Sequence, residues 1–136
     1  MRSAGRPLSR DETQRLIEKH ERLWTQLPDK VDSVWNDFPW PMLKPPATPD
    51  DITANHVTAY MRSPCWLDSD KKSTKDRVKE HMKRWHPDRF ETKYLPKVVE
   101  SEKDRVKQGA GNVARLLSDL LRKENENSSS SNIFGD

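Results

Sequence analysis

The chain is nearly free of cysteine, which limits both its covalent and its metal chemistry. Cys65 is the only cysteine among 136 residues, so an intrachain disulfide and a cysteine-based zinc cluster are both excluded. No histidine lies close to Cys65 in sequence, so it fits a small core residue better than a nucleophile. A lone cysteine is typical of proteins from a reducing compartment.

Long apolar stretches are also missing. No run approaches the roughly 20 apolar residues that span a bilayer, and the region after Met1 lacks the apolar centre of a secretory signal. We therefore expect a soluble protein of the cytoplasm or nucleus that has no membrane partner. Arg2, Arg6 and Arg10 weakly resemble a mitochondrial presequence, but Asp11 follows at once.

Sequence motifs for catalysis are absent as well. There is no glycine-rich phosphate loop and no Gly-x-Ser-x-Gly elbow. His20, His56, His81 and His86 lack the spacing of metal ligands, since even the last two stand five residues apart rather than four. We therefore expect a protein that is not an enzyme and that has no catalytic residue, no metal and no cofactor.

Apolar residues are scarce, while charge is abundant and unevenly placed. Only 32% of the residues are hydrophobic and 35% are charged, which predicts one small domain with a thin core. The net charge is +3, yet the stretch 71–90 alone holds eight basic and three acidic residues. Such a positive patch suits an acidic protein face or nucleic acid.

The segment 9–38 has the pattern of an amphipathic helix, preceded by a flexible stretch at 1–8. Ser9 and Glu12 have the spacing of a capping box, and Pro28 marks the end of the helix. Val31, Val34, Trp35 and Phe38 extend the spacing as a short second turn. The apolar stripe of the helix comprises Leu16, Ile17, His20, Leu23, Trp24 and Leu27.

The segment 39–49 has the composition of an extended linker. Five of its eleven residues are proline, which removes the backbone donors that helices and sheets need. Its aromatic start, Phe38-Pro39-Trp40-Pro41, either packs on its own domain or docks into a groove of another protein. We favour packing on its own domain because the core is short of apolar area.

The segment 50–124 predicts three helices, and all of the helices together predict an all-α fold. The first begins at Asp51 or Thr53 and ends before Ser63-Pro64, and the second is capped by Ser73 and runs to Trp85. The third is long and begins at Pro96, interrupted by glycines at 109 and 111. A loop is predicted at 68–72, and disorder at 125–136, which is rich in Asn, Ser and Glu.

The string Lys-Arg-Trp-His-Pro-Asp-Arg-Phe from Lys83 to Phe90 resembles the J domain of DnaJ-type co-chaperones. In that family a basic helix and an aromatic residue precede His-Pro-Asp, and a later helix packs antiparallel to the basic one. Leu116-Leu117-Ser118-Asp119 is similar to the end of that later helix. The J-like segment of NF-kappa-B inhibitor-like proteins and of uncharacterised fungal proteins is more similar still, since it shares Arg-Trp-His-Pro-Asp-Arg-Phe and often a Pro-Trp-Pro element.

The resemblance implies a J-domain-like antiparallel hairpin over 50–124 that binds a DnaK-type heat-shock chaperone and speeds its ATP hydrolysis. Asp88 would pair with a chaperone arginine, while His86 and Pro87 would hold the shape of the loop. The residues implied in chaperone binding are His86, Pro87, Asp88, Lys75, Lys79, Lys83 and Arg84. The chain departs from the family at His81 and Ala114, where a leucine and an aromatic residue are usual, and we expect weaker helix packing there.

Two further functions stay open. The chain can be a J-like adaptor without stimulating activity, such as a nuclear one, that binds a partner through its tryptophan-rich segment before Pro49. It can also bind nucleic acid through Lys75, Lys79 and Lys83, which could neutralise phosphates. The two differ in salt dependence, because nucleic-acid affinity falls steeply as salt rises.

Overall fold

The computed structural model describes residues 8–66 and 72–135, with side chains as far as 126, and this part of the chain is all-α. The described residues hold no β-strand, only one parallel bridge between Ser33 and Val98, and no helix in them is long and apolar enough to cross a membrane. The α-helices are α1 (Arg10–Gln26), α2 (Ala54–Met61), α3 (Thr74–Trp85), α4 (Pro87–Lys93) and α5 (Lys103–Gly135). Short 3-10 turns lie at Leu27–Asp29, Trp35–Asp37, Pro49–Asp51, Leu95–Lys97 and Glu100–Glu102.

The predicted helix starts are confirmed where a polar side chain caps the helix. The Ser9 hydroxyl accepts from the Glu12 N–H at 3.1 Å, and the Glu12 carboxylate accepts from the Ser9 N–H at 2.8 Å. Thr53 caps α2, and Ser73 caps α3 by accepting from the Asp76 N–H. These starts are readable because each cap satisfies backbone donors within its own first turn. The predicted stretch 1–8 lies, except for Leu8, outside the described residues, as does most of the predicted loop 68–72.

The chain after Trp85 differs from the prediction of one long helix starting at Pro96. Pro87 instead occupies the first position of α4, where its missing N–H costs no hydrogen bond. Two 3-10 turns follow, and α5 begins only at Lys103. The backbone of α5 continues to Gly135 and so enters the segment 125–136, for which disorder is predicted. Extending an existing helix needs no new nucleus, which favours the helical state over the composition of the tail.

Helices α3 and α5 contact each other and run antiparallel. Trp85, at the end of α3, shares a small cavity with Lys107 near the start of α5. At the other end, Arg77 of α3 donates to the carbonyl oxygen of Met61, and the adjacent Arg62 pairs with Glu124 far along α5. The two helices therefore form an antiparallel hairpin, and residues 86–102 connect them.

The proline-rich segment 39–49 does not behave as a free linker, because its aromatic start forms part of the core. Phe38, Trp40 and Met42 are buried. The indole N–H of Trp40 donates to the carbonyl oxygen of Trp35 at 3.0 Å, and the indole N–H of Trp35 donates to that of Pro46 at 2.7 Å. A segment without helix or sheet bonds is thus tied down by side-chain donors, and the favoured prediction, packing on its own domain, is confirmed.

The two glycines of α5 have different surroundings. A Cβ atom at position 109 would lie 2.8 Å from two ring atoms of Trp35 and 2.9 Å from the ring of Trp40. A Cβ atom at position 111 would have no neighbouring atom within 4 Å. Gly109 therefore allows the aromatic segment to approach α5, whereas Gly111 serves no such packing.

This difference predicts opposite effects of alanine at the two positions. Gly109→Ala should lower the free energy of unfolding by about 2 kcal/mol, because overpacking against two buried rings outweighs the gain in helix propensity. Gly111→Ala should raise it by about 1 kcal/mol, since only the propensity gain remains. Urea unfolding followed by circular dichroism measures both. Equal effects at the two positions would contradict the close approach of Trp35 and Trp40.

Candidate functional site

The His86-Pro87-Asp88 turn links α3 to α4 and lies on the surface. His86 ends α3 and caps α4, since its Nδ1 accepts from the Asp88 N–H at 3.2 Å. All three residues are exposed. The Asp88 carboxylate has no hydrogen bond or ion pair within the described residues, and it stands in the first turn of α4, where the helix dipole favours negative charge. The turn therefore presents a preformed, unpaired carboxylate.

Buried aromatic rings flank this turn and pack against the core. Trp85 is fully buried and stacks on Phe90 with ring centroids 5.4 Å apart. Trp85 also stacks on Trp40, with ring centroids 5.1 Å apart, and contacts Trp24 edge-on, with centroids 5.0 Å apart. Phe90 also contacts Phe38 at 5.4 Å. The residues just before and just after the turn are thus fixed to each other and to the core, which limits the motion of the turn.

Three of the predicted basic residues form an open positive face on α3. Lys79 and Lys83 are exposed and Lys75 is half-buried. Their i, i+4 spacing places them on one side of the helix. None of the three forms an ion pair in the part of the chain that the structure describes. This side of α3 is therefore available to a partner with negative charge.

Arg84 has a different place from the three lysines. Its guanidinium donates two hydrogen bonds of 2.9 Å to the carboxylate of Glu21 on α1, and a third of 3.2 Å to Glu80. The same group lies over the ring of Trp24 at 5.4 Å. Burial lowers the pKa of Arg84, but the hydrogen bonds and charge of Glu21 more than offset this and raise the pKa above its ordinary value. Arg84 thus joins α1 to α3 and offers few free donors to a partner.

Behind α3, two histidines and a tyrosine form a buried polar cluster. His20 Nδ1 lies 2.8 Å from the hydroxyl of Tyr60, and His81 packs edge-on against Tyr60 and Trp66. Burial lowers the pKa of His20 to about 4, with Lys19 adding to the shift and Glu21 opposing it. Burial, with nearby cations such as Arg84, also lowers the pKa of His81 far below its ordinary range, and burial raises the pKa of Tyr60.

His81 is buried in this cluster as a neutral ring. Its Nδ1 is buried and has no hydrogen-bond partner among the described residues, and the same holds for the indole N–H of Trp85. A neutral ring with one unpaired nitrogen is tolerated in a core at a cost of about 1–3 kcal/mol. Within the described residues no group of three or more His, Cys, Asp or Glu side chains could hold a metal ion.

The sequence does not show how α1 is attached to the hairpin of α3 and α5. Glu21 and Trp24 lie on α1, 63 and 61 positions before their α3 partners Arg84 and Trp85. Trp24 was readable as a core residue from its place in the apolar stripe. Glu21 has no such signal, because a glutamate on the polar face of a helix does not indicate which distant arginine it pairs with.

A scan against protein-family models finds no match for this chain, and searches of curated proteins and of solved structures find none either.

Proposed function

We propose that this protein is a J-domain-like interaction module that binds a DnaK-type heat-shock chaperone and stimulates its ATPase through the His86-Pro87-Asp88 turn. The observation that carries the proposal is the Asp88 carboxylate, which is exposed, unpaired and fixed at a helix start by the His86 cap. A carboxylate in such a position suits a bidentate pair with an arginine of the partner. The chain itself then does no chemistry.

The lysines of α3 support the same proposal. Lys75, Lys79 and Lys83 are unpaired within the described residues and lie on the helix that leads directly into the turn. Complementary charge between this face and an acidic chaperone surface would mainly speed and orient the encounter. Arg84 has no such role in the proposal, because Glu21 already occupies its guanidinium.

The buried rings give a reason for the turn to act as a rigid unit. Trp85 and Phe90 stack across it at 5.4 Å, and α4 begins at Pro87 itself. The carboxylate of Asp88 is therefore presented with little conformational freedom left to lose. Preorganisation of this kind improves affinity by lowering the entropy cost of binding.

The test is single-turnover ATP hydrolysis by a DnaK-type chaperone from the same organism, with and without this protein. We expect wild type to accelerate hydrolysis, and Asp88→Asn to remove the acceleration because it keeps the shape and deletes the charge. His86→Gln should also remove it, since the cap that fixes Asp88 is lost. Asp104→Asn is the matched control, since Asp104 is also an exposed acid in the first turn of a helix and has no ion pair among the described residues, and it should leave the acceleration unchanged.

The outcomes separate the three functions. Equal loss with Asp104→Asn would mean that net charge and not the turn is responsible. No acceleration by folded wild type would contradict stimulation and favour a silent adaptor. Binding to a DNA or RNA duplex that falls steeply between about 50 and 200 mM salt, and that is indifferent to Asp88→Asn, would favour nucleic-acid binding by the lysine face.

A further inference from the structure

A groove lies between α1 and residues 36–46, and its lining includes no residue of the His86-Pro87-Asp88 turn. Its volume is about 110 Å³. Leu16 and Leu23 of α1 form one wall and are only half-buried. Phe38, Trp40, Met42, Pro45 and Pro46 form the opposite wall and floor. This groove, bounded by α1 and residues 36–46, is called the α1 groove below.

The tryptophans before Pro49 are not themselves a free binding surface. Trp24, Trp35 and Trp40 are 8%, 1% and 4% exposed. Of the three, Trp40 alone is among the residues that line the α1 groove, together with Leu16 and Leu23. A partner would therefore bind in the α1 groove and not on the tryptophan side chains themselves.

The size of the α1 groove limits its occupant. A cavity of about 150 Å³ accommodates benzene, and the α1 groove is smaller at about 110 Å³. Leucine, isoleucine and methionine fit that space better than phenylalanine, tyrosine or tryptophan, because their side chains are smaller. Leu16, Leu23 and Trp40 supply apolar lining, so an aliphatic side chain that contacts them is driven into the groove by the removal of its surface from water.

The charge around the α1 groove limits the occupant further. Lys19 lines it, and Arg15 and Arg22 lie one helical turn to either side, all three exposed and without an ion pair in the described part of the chain. Beyond Pro46 a second cavity carries charges of both signs, since Lys44 lines it together with Asp50 and Asp51. Acidic residues of a partner are therefore favoured over α1, where the exposed charges beside the groove are positive.

His20 adds one polar contact at the floor of the α1 groove. Its Nδ1 is used by the Tyr60 hydroxyl at 2.8 Å, and the ring lines the groove. The other ring nitrogen makes no hydrogen bond within the described residues and is not among the buried unpaired atoms. It is therefore open to the groove and can meet a backbone group of an inserted segment.

We propose that the α1 groove binds an acidic segment of a partner protein, which inserts one aliphatic side chain between Leu16, Leu23 and Trp40 and places its carboxylates over Arg15, Lys19 and Arg22. This site is separate from the His86-Pro87-Asp88 turn. It gives the N-terminal helix a binding role of its own, so that one molecule can hold an acidic partner and a second protein at the turn.

The test uses a phage-displayed library of random peptides about 12 residues long, selected on the full chain and counter-selected on the Lys19→Glu variant. Enriched peptides should share a Leu, Ile or Met next to Asp or Glu. Synthetic copies, measured by fluorescence anisotropy, should lose at least about tenfold in affinity for Lys19→Glu and for Leu23→Glu. Lys123→Glu, an equal charge reversal at an exposed lysine on α5, should bind them like wild type.

The variants keep the proposal open to contradiction. Lys19 is exposed, so Lys19→Glu leaves the fold intact even if Leu23→Glu unfolds it. A basic or aromatic consensus, affinity unchanged by Lys19→Glu, or a selection that enriches no peptide would each overturn the proposal. Asp88→Asn should bind the peptides normally, which separates this test from that of the chaperone function.

Discussion

Trp85→Ala is expected to lower the free energy of unfolding by about 4 kcal/mol, because large-to-small changes of a buried tryptophan cost roughly 3–5 kcal/mol. Trp85 is fully buried, and its ring contacts Trp24, Trp40 and Phe90. Aromatic pairs of this kind add about 0.5–1.5 kcal/mol each beyond area burial. Since small domains have only about 5–15 kcal/mol of stability in total, the variant should be close to unfolding at physiological temperature.

Phenylalanine at the same position should be far milder, and this contrast tests the role of the indole. The N–H of Trp85 has no acceptor in the part of the chain that the structure describes, so Trp85→Phe removes an unpaired buried donor together with part of the ring. At Trp35 the same change deletes the 2.7 Å bond to the carbonyl oxygen of Pro46 and leaves that oxygen unpaired. We expect Trp35→Phe to be the more destabilising of the two by about 1–2 kcal/mol.

Urea unfolding near neutral pH, followed by far-ultraviolet circular dichroism, measures all three variants. A cost below about 1.5 kcal/mol for Trp85→Ala would show that the surrounding rings collapse into the space and that Trp85 does not hold the turn. A larger loss in Trp85→Phe than in Trp35→Phe would mean that the Trp85 N–H has a hydrogen-bond partner in solution.

The parts of the fold that could be predicted depend on contacts close in sequence. The caps at Ser9 and Ser73 satisfy donors three residues away, and the end of α3 follows from Pro87. The start of α5 could not be predicted, because Pro96 suits a 3-10 turn as well as a first helical position. The choice between them depends on distant packing, including the bond from the Ser33 N–H to the carbonyl oxygen of Lys97.

The sequence predicts which residues belong to the candidate site, but it does not predict which of them are already paired within the chain. The spacing of Lys75, Lys79, Lys83 and Arg84 places all four on a basic helix, yet only the lysines are unpaired within the described residues. Arg84 differs because Glu21, 63 residues earlier, reaches it with two hydrogen bonds. Sequence spacing within one helix cannot reveal a partner on another.

The buried histidines predict that the protein loses stability as the pH falls below neutrality. The pKa of His20 is about 4 in the folded chain against an ordinary 6.5, and the pKa of His81 is lowered as well. The unfolded chain therefore binds more protons than the folded chain below about pH 6.5, and stability falls with pH by about 1.4 kcal/mol per unit for each histidine. For His20 alone the loss amounts to about 3 kcal/mol by about pH 4, below which it grows no further.

Unfolding free energies measured at intervals between about pH 7.5 and 5 test this, because ionised carboxylates contribute little to the slope in that range. His81→Leu should reduce the slope by about half and should also stabilise the protein near neutral pH, since it removes the unpaired Nδ1. His56→Gln is the control, because His56 is exposed, bonds to Thr53 and lies outside the buried cluster, so the slope of this variant should match wild type. If His20→Gln and His81→Leu together left the slope unchanged, neither histidine would be neutral in the folded core. If His81→Leu reduces the slope as expected, His81 makes the folding of the domain dependent on pH. Because Asp88 is presented by the folded domain, its presentation then depends on pH as well.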